Sequence, residues 1–449
     1  MRSQMARLDK GTAILVVIFL VAFLVLFKPW VHGFDTVAYY SWLRSAVIDG
    51  NLQMNDEFTH YGYGAERGMT PTGHTYNEWA VGSAILWSPF FLAAHGLSLL
   101  ARAVGLPVVT DGYAAQYIWA ISLGSALYAF IGLLLTYRVC RQFFTLPVSV
   151  LAATAIWLSS PLVFYMYSHP IMSHANDAFA YALLIFTWYN TRHRRTWQSA
   201  ALRGGAAGLC ALVRQVNAVF VFFALGEMVI DGIRTWRSSR QAKPLGQLAA
   251  QWVAFSVAWW LVYSPQMVAW RVVYGHWIEL NPYASGAGVG FSWLRPHTLE
   301  VLFSTAHGLF VWTPLLLFAV LGWFFLWRRD QRLTTLLAVN FALQLYVVSA
   351  WNDWGGSAAF GQRFFTNMSP AFVLGLAALL STLQNRAPLA WLVAGCVLFM
   401  IWNGLLIVRY ALGDISRGGS VPLGNLVIGQ FTIIPRQLGR ILEILLRRQ

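Results

Sequence analysis

Charge is scarce in this sequence. Only 11% of its 449 residues are Asp, Glu, Lys or Arg, while 58% are hydrophobic; a soluble domain carries about 25% charged residues. Such a chain cannot clothe its own surface with polar groups, so the length prior of about three soluble domains yields to an integral membrane protein. Cysteine is nearly absent. Cys140, Cys210 and Cys396 lie far apart in or beside apolar runs, which excludes a disulfide scaffold and a four-cysteine zinc site. Also lacking are a nucleotide-binding glycine loop, a P-loop, an HExxH pair and a GxSxG elbow, and no internal repeat is visible. Charges deep inside apolar runs are few, with Glu227 near one end of its run, so nothing indicates an ion relay.

What the sequence does have is apolar length. At about 20 residues per crossing, eleven spans are expected, at 11–27, 113–137, 146–166, 175–191, 198–213, 217–233, 247–269, 307–327, 333–350, 364–383 and 388–408. Arg2, Arg7 and Lys10 precede the first and no small-residue cleavage site follows it, so it reads as a retained signal anchor. A further apolar stretch, 79–104, is expected not to cross. Basic clusters follow at Arg138/Arg141, Arg192/Arg194/Arg195, Arg234/Arg237/Arg240/Lys243, Arg328/Arg329/Arg332 and Arg386. Short basic loops stay cytoplasmic, and if 79–104 crossed, every cluster would face outward. Pro89 at its middle and His95 beyond fit a broken segment that dips into or lies along the membrane; the alternative is a true span with a later helix miscounted. This topology divides the net charge of +14 into +13 in the cytoplasmic loops, −3 in the outer loops and +4 in the tail from 409. The basic excess is thus a topology signal, nucleic acid is unsupported as a partner, and acids gather on the outer face.

The first outer loop, 28–112, opens with Val31-His32-Gly33-Phe34-Asp35-Thr36-Val37-Ala38-Tyr39-Tyr40. Asp35 falls near the headgroup plane, where a lipid-linked phosphate would lie, and ionisable groups at that depth tend to be functional. Residues 36–48 read as an interfacial amphipathic helix, with Val37, Tyr40, Leu43 and Val47 on one face and Arg44 off it. Further acids follow as Asp49, Asp56, Glu57, Glu66 and Glu78; Asp49 and Glu66 read as solvated loop acids. A second outer turn holds Ser168-His169-Pro170-Ile171-Met172-Ser173-His174. Its two histidines could hold a divalent metal with a loop carboxylate, or donate to phosphate; a histidine capping the next helix is the plainer alternative. Asp177 sits where a helix dipole favours an acid with no functional demand.

Arg214 interrupts two short apolar runs at their outer end. It suits a phosphate oxygen pair, with snorkelling to the headgroups as the alternative. The most distinctive cluster is Trp351-Asn352-Asp353-Trp354-Gly355-Gly356-Ser357, followed by Phe360-Gly361-Gln362-Arg363. Two tryptophans around an aspartate can stack on a sugar while the acid accepts its hydroxyl protons; paired glycines allow close backbone approach, and Arg363 can hold a phosphate. His307, in Thr305-Ala306-His307-Gly308, is expected at a helix N-terminus facing this group.

On these motifs the sequence resembles the GT-C glycosyltransferases, multi-span enzymes that move a sugar from a polyprenyl phosphate, and is similar to bacterial relatives of the protein O-mannosyltransferases and of the lipid A aminoarabinose and galacturonic acid transferases. The likeness rests on Gly33-Phe34-Asp35 with Tyr39-Tyr40, Asp49-Gly50-Asn51-Leu52 with Asn55-Asp56-Glu57, Leu86-Trp87-Ser88-Pro89-Phe90-Phe91, Met172-Ser173-His174, His307-Gly308-Leu309-Phe310, and Trp354-Gly355-Gly356 with Phe360-Gly361 and Arg363. It implies an all-α polytopic fold of about eleven membrane helices at 1–408, with membrane-lying helices in 28–112, and a basic outer tail at 409–449. The implied location is a bacterial cytoplasmic membrane with the N-terminus inside and the site and tail outside. Asp35 is then expected to be the catalytic base, Arg363, Arg214 and His307 to bind the donor phosphate, and Trp351, Asp353, Trp354, Asp56, Glu57, Glu78 and Tyr39 to serve the sugar or acceptor. Several relatives carry two adjacent acids here, whereas Thr36 follows Asp35, which leaves Asp56, Glu57 or Glu78 as the second carboxylate. A divalent metal stays open, with His169, His174 and Glu57 as candidate ligands. The implied partners are a polyprenyl-phosphate-linked sugar and membrane lipids. Two alternatives stand beside this reading, a polyprenyl-lipid or sugar transporter that makes no bond and a ligase or polymerase using lipid diphosphates. In the tail, residues 436–448 fit an amphipathic helix with Leu438, Ile441, Leu442 and Leu445 opposed to Arg436, Arg440 and Arg447.

Overall fold

The computed structural model describes residues 9–64, 67–238, 242–279 and 290–446; Arg2, Arg7, Glu66, Arg240 and Arg447 lie outside them. Among the described residues regular structure is helical, apart from two isolated bridges, Met69 with Thr75 and Phe291 with Trp351. The longer helices are α1 (Lys10–Leu26), α2 (Phe34–Arg44), α3 (Asn55–His60), α4 (Gly82–Ala103), α5 (Ala115–Cys140), α6 (Leu146–Ser159), α7 (Ser173–Thr191), α8 (Trp197–Val213), α9 (Val221–Ser238), α10 (Ala242–Tyr274), α11 (Leu315–Trp327), α12 (Gln331–Ala350), α13 (Ser369–Leu383), α14 (Leu389–Leu412) and α15 (Leu423–Leu446). Helix stands over all eleven stretches expected to span. By length and apolarity five of the described segments can cross a membrane, α4, α5, α12, the helical run Arg363–Leu383 and α14, or six if α6 and its bent continuation Pro161–Ser168 count as one. The chain is a multi-pass helical membrane protein, but this measure stops short of eleven, since helices such as α1 and α11, at 17 and 13 residues, are short.

Small residues let these helices touch. Lipid tails are as apolar as leucine, so helices in a bilayer associate through close packing rather than hydrophobic drive. A Cβ on Gly208 of α8 would meet the Trp259 carbonyl of α10 at 2.7 Å, and one on Gly132 of α5 would meet Phe179 Cα of α7 at 2.9 Å. Gly322 of α11 lies against the Gly375 carbonyl of α13 just as closely. The run Arg363–Leu383 is the central one, 83% buried, whereas α4 and α14 are 22% buried and stand at the periphery.

Three expectations are corrected. The 79–104 segment is not broken: α4 runs through Pro89. A proline deprives the carbonyl four residues back of its partner, and the Ser88 hydroxyl takes that role by donating to Ile85 O at 2.7 Å. The second concerns α2, which is no interfacial helix with one wet face, since every residue from Thr36 to Arg44 is buried. Burial of Arg44 is possible because its guanidinium pairs with Glu57 at 2.8 Å and Asp49 at 2.6 Å and stacks on Tyr113; Asp49 is therefore an ion-pair partner, not a loose loop acid. Third, the tail does not begin at 409. Arg409 lies inside α14, fully buried, and α15 starts at Leu423, well before 436, with residues 447–449 outside the described ones.

The 28–112 segment is locked down by polar contacts. Trp42 donates from its indole to Trp79 O, Asn77 donates to Ala38 O, and Val81 N–H donates to Gln266 of α10. Arg67 pairs with buried Glu78 and lies over Phe34 and Phe58. These contacts fix the start of α2 against the helix bundle.

Candidate active site

Asp35 sits in the first turn of α2, behind Gly33, whose φ of 88° only glycine adopts readily. It opens onto a cavity of about 280 Å³ whose walls include Tyr39, Trp79, His174, Arg214, Gln344, Trp351, Asp353 and Arg363. The Asp35 carboxylate accepts from Arg363 Nη1 at 2.7 Å, with 27% of its side chain exposed. Arg363 leaves its buried Nε without a hydrogen-bond partner. Gly356, at φ 73°, makes room for it, since a Cβ there would stand 2.9 Å from Arg363 Nε. Of the two glycines expected to allow close approach, Gly356 does so for the arginine, whereas a Cβ on Gly355 would meet nothing nearer than Ala306 O at 3.9 Å.

A second guanidinium shares the cavity. Arg214 and Arg363 both lie on the Phe364 ring, at 5.2 and 5.4 Å from its centroid. Beneath them runs a buried polar chain: Asp177 stands 3.6 Å from Arg214 and accepts from Asn217 at 2.5 Å, Asn367 donates to Asn217, and Gln344 donates to Asn367. Asp177, read from the sequence as a helix-dipole acid, is instead the counter-ion that holds Arg214. Asn217, Gln344 and Asn367 were missed, although Asn340 and Gln344 four apart in an apolar run are the kind of signal that marks a polar face. Tyr39 also lines the cavity, its phenol oxygen accepting from Ser173 at 2.8 Å, and burial raises its pKa above the usual tyrosine value.

Not every expected residue reaches this cavity. Asp56 is exposed on α3, while Glu57 and Glu78 are buried in the Arg44 and Arg67 ion pairs; burial raises the Glu57 pKa although Arg44 works against it. None of the three is a second carboxylate for the site. The acid that shares the cavity with Asp35 is Asp353, whose oxygens accept from Ser357 N–H at 2.9 Å and Ser357 Oγ at 2.7 Å. The two tryptophans part company: Trp351 lines the main cavity, whereas Trp354 and His307 line a neighbouring one. His307 does stand against the Trp354-Gly355 turn, its Nδ1 2.8 Å from Gly355 O, but it is not in the lining of the main cavity that holds Arg363.

The candidate metal ligands do not converge. His174 lines the cavity together with two guanidiniums, which repel a cation. His169 Nε2 lies 3.0 Å from Thr36 Oγ1, and its pKa is lowered to about 4, first by burial and then by the charge of His32. Glu57 belongs to Arg44. Among the described residues no group of three or more His, Cys, Asp or Glu side chains is arranged to hold a metal, so these residues do not fit one.

No protein-family model matches the sequence, and neither does any curated protein. Among solved structures the chain is similar to ArnT from Cupriavidus metallidurans bound to undecaprenyl phosphate, with 14% identity and a TM-score of 0.48 over 98% of this chain and 72% of that one. It is also similar to the archaeal oligosaccharyltransferase AglB from Archaeoglobus fulgidus in complex with an inhibitory peptide and a dolichol-phosphate, with 12% identity and a TM-score of 0.41 over 94% of this chain and 54% of that one.

Proposed function

We propose that the chain is an inverting glycosyltransferase that moves a sugar from a polyprenyl-phosphate donor to a hydroxyl-bearing acceptor on the outer face of a bacterial cytoplasmic membrane. One observation carries the reading: a carboxylate held by a guanidinium at the wall of a cavity that contains a second guanidinium. Two arginines on one aromatic ring make a planar, charged seat for a phosphate. When the donor phosphate takes Arg363, the Asp35 carboxylate loses its partner and is free to accept a proton. The acceptor oxygen then attacks the anomeric carbon, its proton passes to Asp35, and the bond between that carbon and the phosphate oxygen breaks. The departing lipid phosphate keeps the electron pair, and Arg363 and Arg214 stabilise the charge that grows on it, an effect strongest in a site shielded from water. Trp351 supplies a face for the sugar of the donor.

Asp35→Asn tests the assignment. A general base contributes typically about 100-fold to 10,000-fold, so the variant, made in membranes supplied with sugar-loaded polyprenyl phosphate, is expected to lose that much transfer while still binding undecaprenyl phosphate. Full turnover at normal expression would remove Asp35 from the role, and donor movement without a glycosylated product would make the chain a transporter.

A further inference from the structure

Beside the main cavity lies a second of about 380 Å³, and Asp353 and Ser357 belong to the walls of both. Backbone strain gathers there. Among the described residues only His307, at φ 66°, and Ser357, at φ 52°, are non-glycine residues in the left-handed region, and both line this second cavity. Such strain persists where the surroundings over-determine it, and it collects at functional sites. Asp353 holds Ser357 through two hydrogen bonds, to its N–H and its hydroxyl. His307 is held by Gly355 O at 2.8 Å and by an edge-to-face contact with the Trp312 ring, with its Nε2 buried and unpartnered. Gly418, in the turn after α14, lines the cavity as well, and Tyr410 in the last turn of α14 donates to Ala358 O at 2.8 Å.

The chemistry of the two cavities differs. The main one holds two arginines; the second has neither arginine nor lysine in its lining but offers the Trp354 ring, the Asn352 amide, the Asp353 carboxylate and the Ser357 hydroxyl. An aromatic face with an acid and an amide suits a neutral ring that carries hydroxyls. We infer that this second cavity binds the glycosyl acceptor as a sugar, stacked on Trp354 with its hydroxyls on Asn352 and Asp353, and that Asp353 forms the wall across which acceptor and donor meet. The inference rests on the transferase reading above and adds the acceptor's class and place.

The test uses the purified full chain in nanodiscs, with methyl α-mannoside, methyl α-glucoside and methyl β-galactoside as probes in saturation-transfer NMR, and with undecaprenyl phosphate as the second ligand. Transfer to at least one glycoside is expected, undiminished by undecaprenyl phosphate, and lowered about tenfold or more in Trp354→Ala, which should bind undecaprenyl phosphate within about twofold of the wild type. Asn352→Ala, at an exposed position, repeats the test if Trp354→Ala loses folded yield. Silence with every glycoside, competition by undecaprenyl phosphate, or indifference to both variants would overturn the inference. A wild type that ignores undecaprenyl phosphate fails the transferase reading; one that binds it but no glycoside fails this inference alone.

Discussion

Gly356 shows how much of the site depends on an atom that is not there. A side chain on a left-handed residue costs about 1–2 kcal/mol, and at Gly356 its Cβ would also press on Arg363 Nε. Gly356→Ala is expected to lower transfer by about tenfold or more, through a displaced Asp35–Arg363 pair, while the unfolding temperature falls by only a few degrees; unchanged transfer would show that Arg363 tolerates the shift. His169 makes a pH prediction. Its pKa is lowered from 6.5 to about 4 by burial, so the folded state favours the neutral ring. Its contribution to stability is present above pH 6.5 and is lost as pH falls toward 4. Thermal unfolding in detergent should therefore show a steeper acid decline for wild type than for His169→Gln, and parallel curves would refute it. At this scale the sequence singled out Asp35, Arg214 and Arg363 because an isolated charge beside an apolar run has few reasons to be there, and the three line one cavity. Glu57 and Glu78 misled because their partners, Arg44 and Arg67, differ in spacing from any local pattern: 13 and 11 residues away, beyond a helix turn's reach.

The break after α6 illustrates the elements. Leu146–Ser159 and Pro161–Ser168 meet at 69°, leaving carbonyls with no helical partner, which in a bilayer must be satisfied by protein. Asn403 of α14 reaches them, donating to Leu158 O at 2.9 Å and to Ser160 O at 3.2 Å. The bend in turn lets the Tyr165 hydroxyl accept from Phe360 N–H, fixing the chain just before Arg363. Asn403→Leu is expected to cost about 1–3 kcal/mol, the penalty for buried acceptors left unmet, read as a lower midpoint in thermal unfolding; an unmoved midpoint would mean that another donor serves those carbonyls. The apolar stretches told where helices lie because hydrophobic length is a local property. The bend and the integrity of α4 depended on single polar side chains, Asn403 and Ser88, one of them some 240 residues away, and Pro89 by itself argued the wrong way.

At the scale of the molecule, the tail is part of the body. Arg409 is fully buried and binds Asp414 at 2.6 Å, the carbonyls of Asn425 and Leu426, and the Asn425 side chain, with Gly429 packed on its guanidinium. Breaking a buried pair costs about 3–5 kcal/mol; with Asp414 still 22% exposed, Arg409→Leu should fall at the low end. Limited proteolysis should then cut faster between 413 and 422, and an unchanged cleavage rate would show that the tail holds without this arginine. The sequence marked the tail as basic and amphipathic, but a buried arginine looks the same in a sequence as a solvated one. The Asp35–Arg363 pair joins residues 328 positions apart, and this spacing also has a meaning in time. At about 5–20 residues per second, a ribosome that has made Asp35 needs roughly 16 to 66 seconds more to make Arg363. Throughout that interval the acid already stands on the growing chain without its arginine, so the Asp35–Arg363 pair can close only after most of the helices have been made.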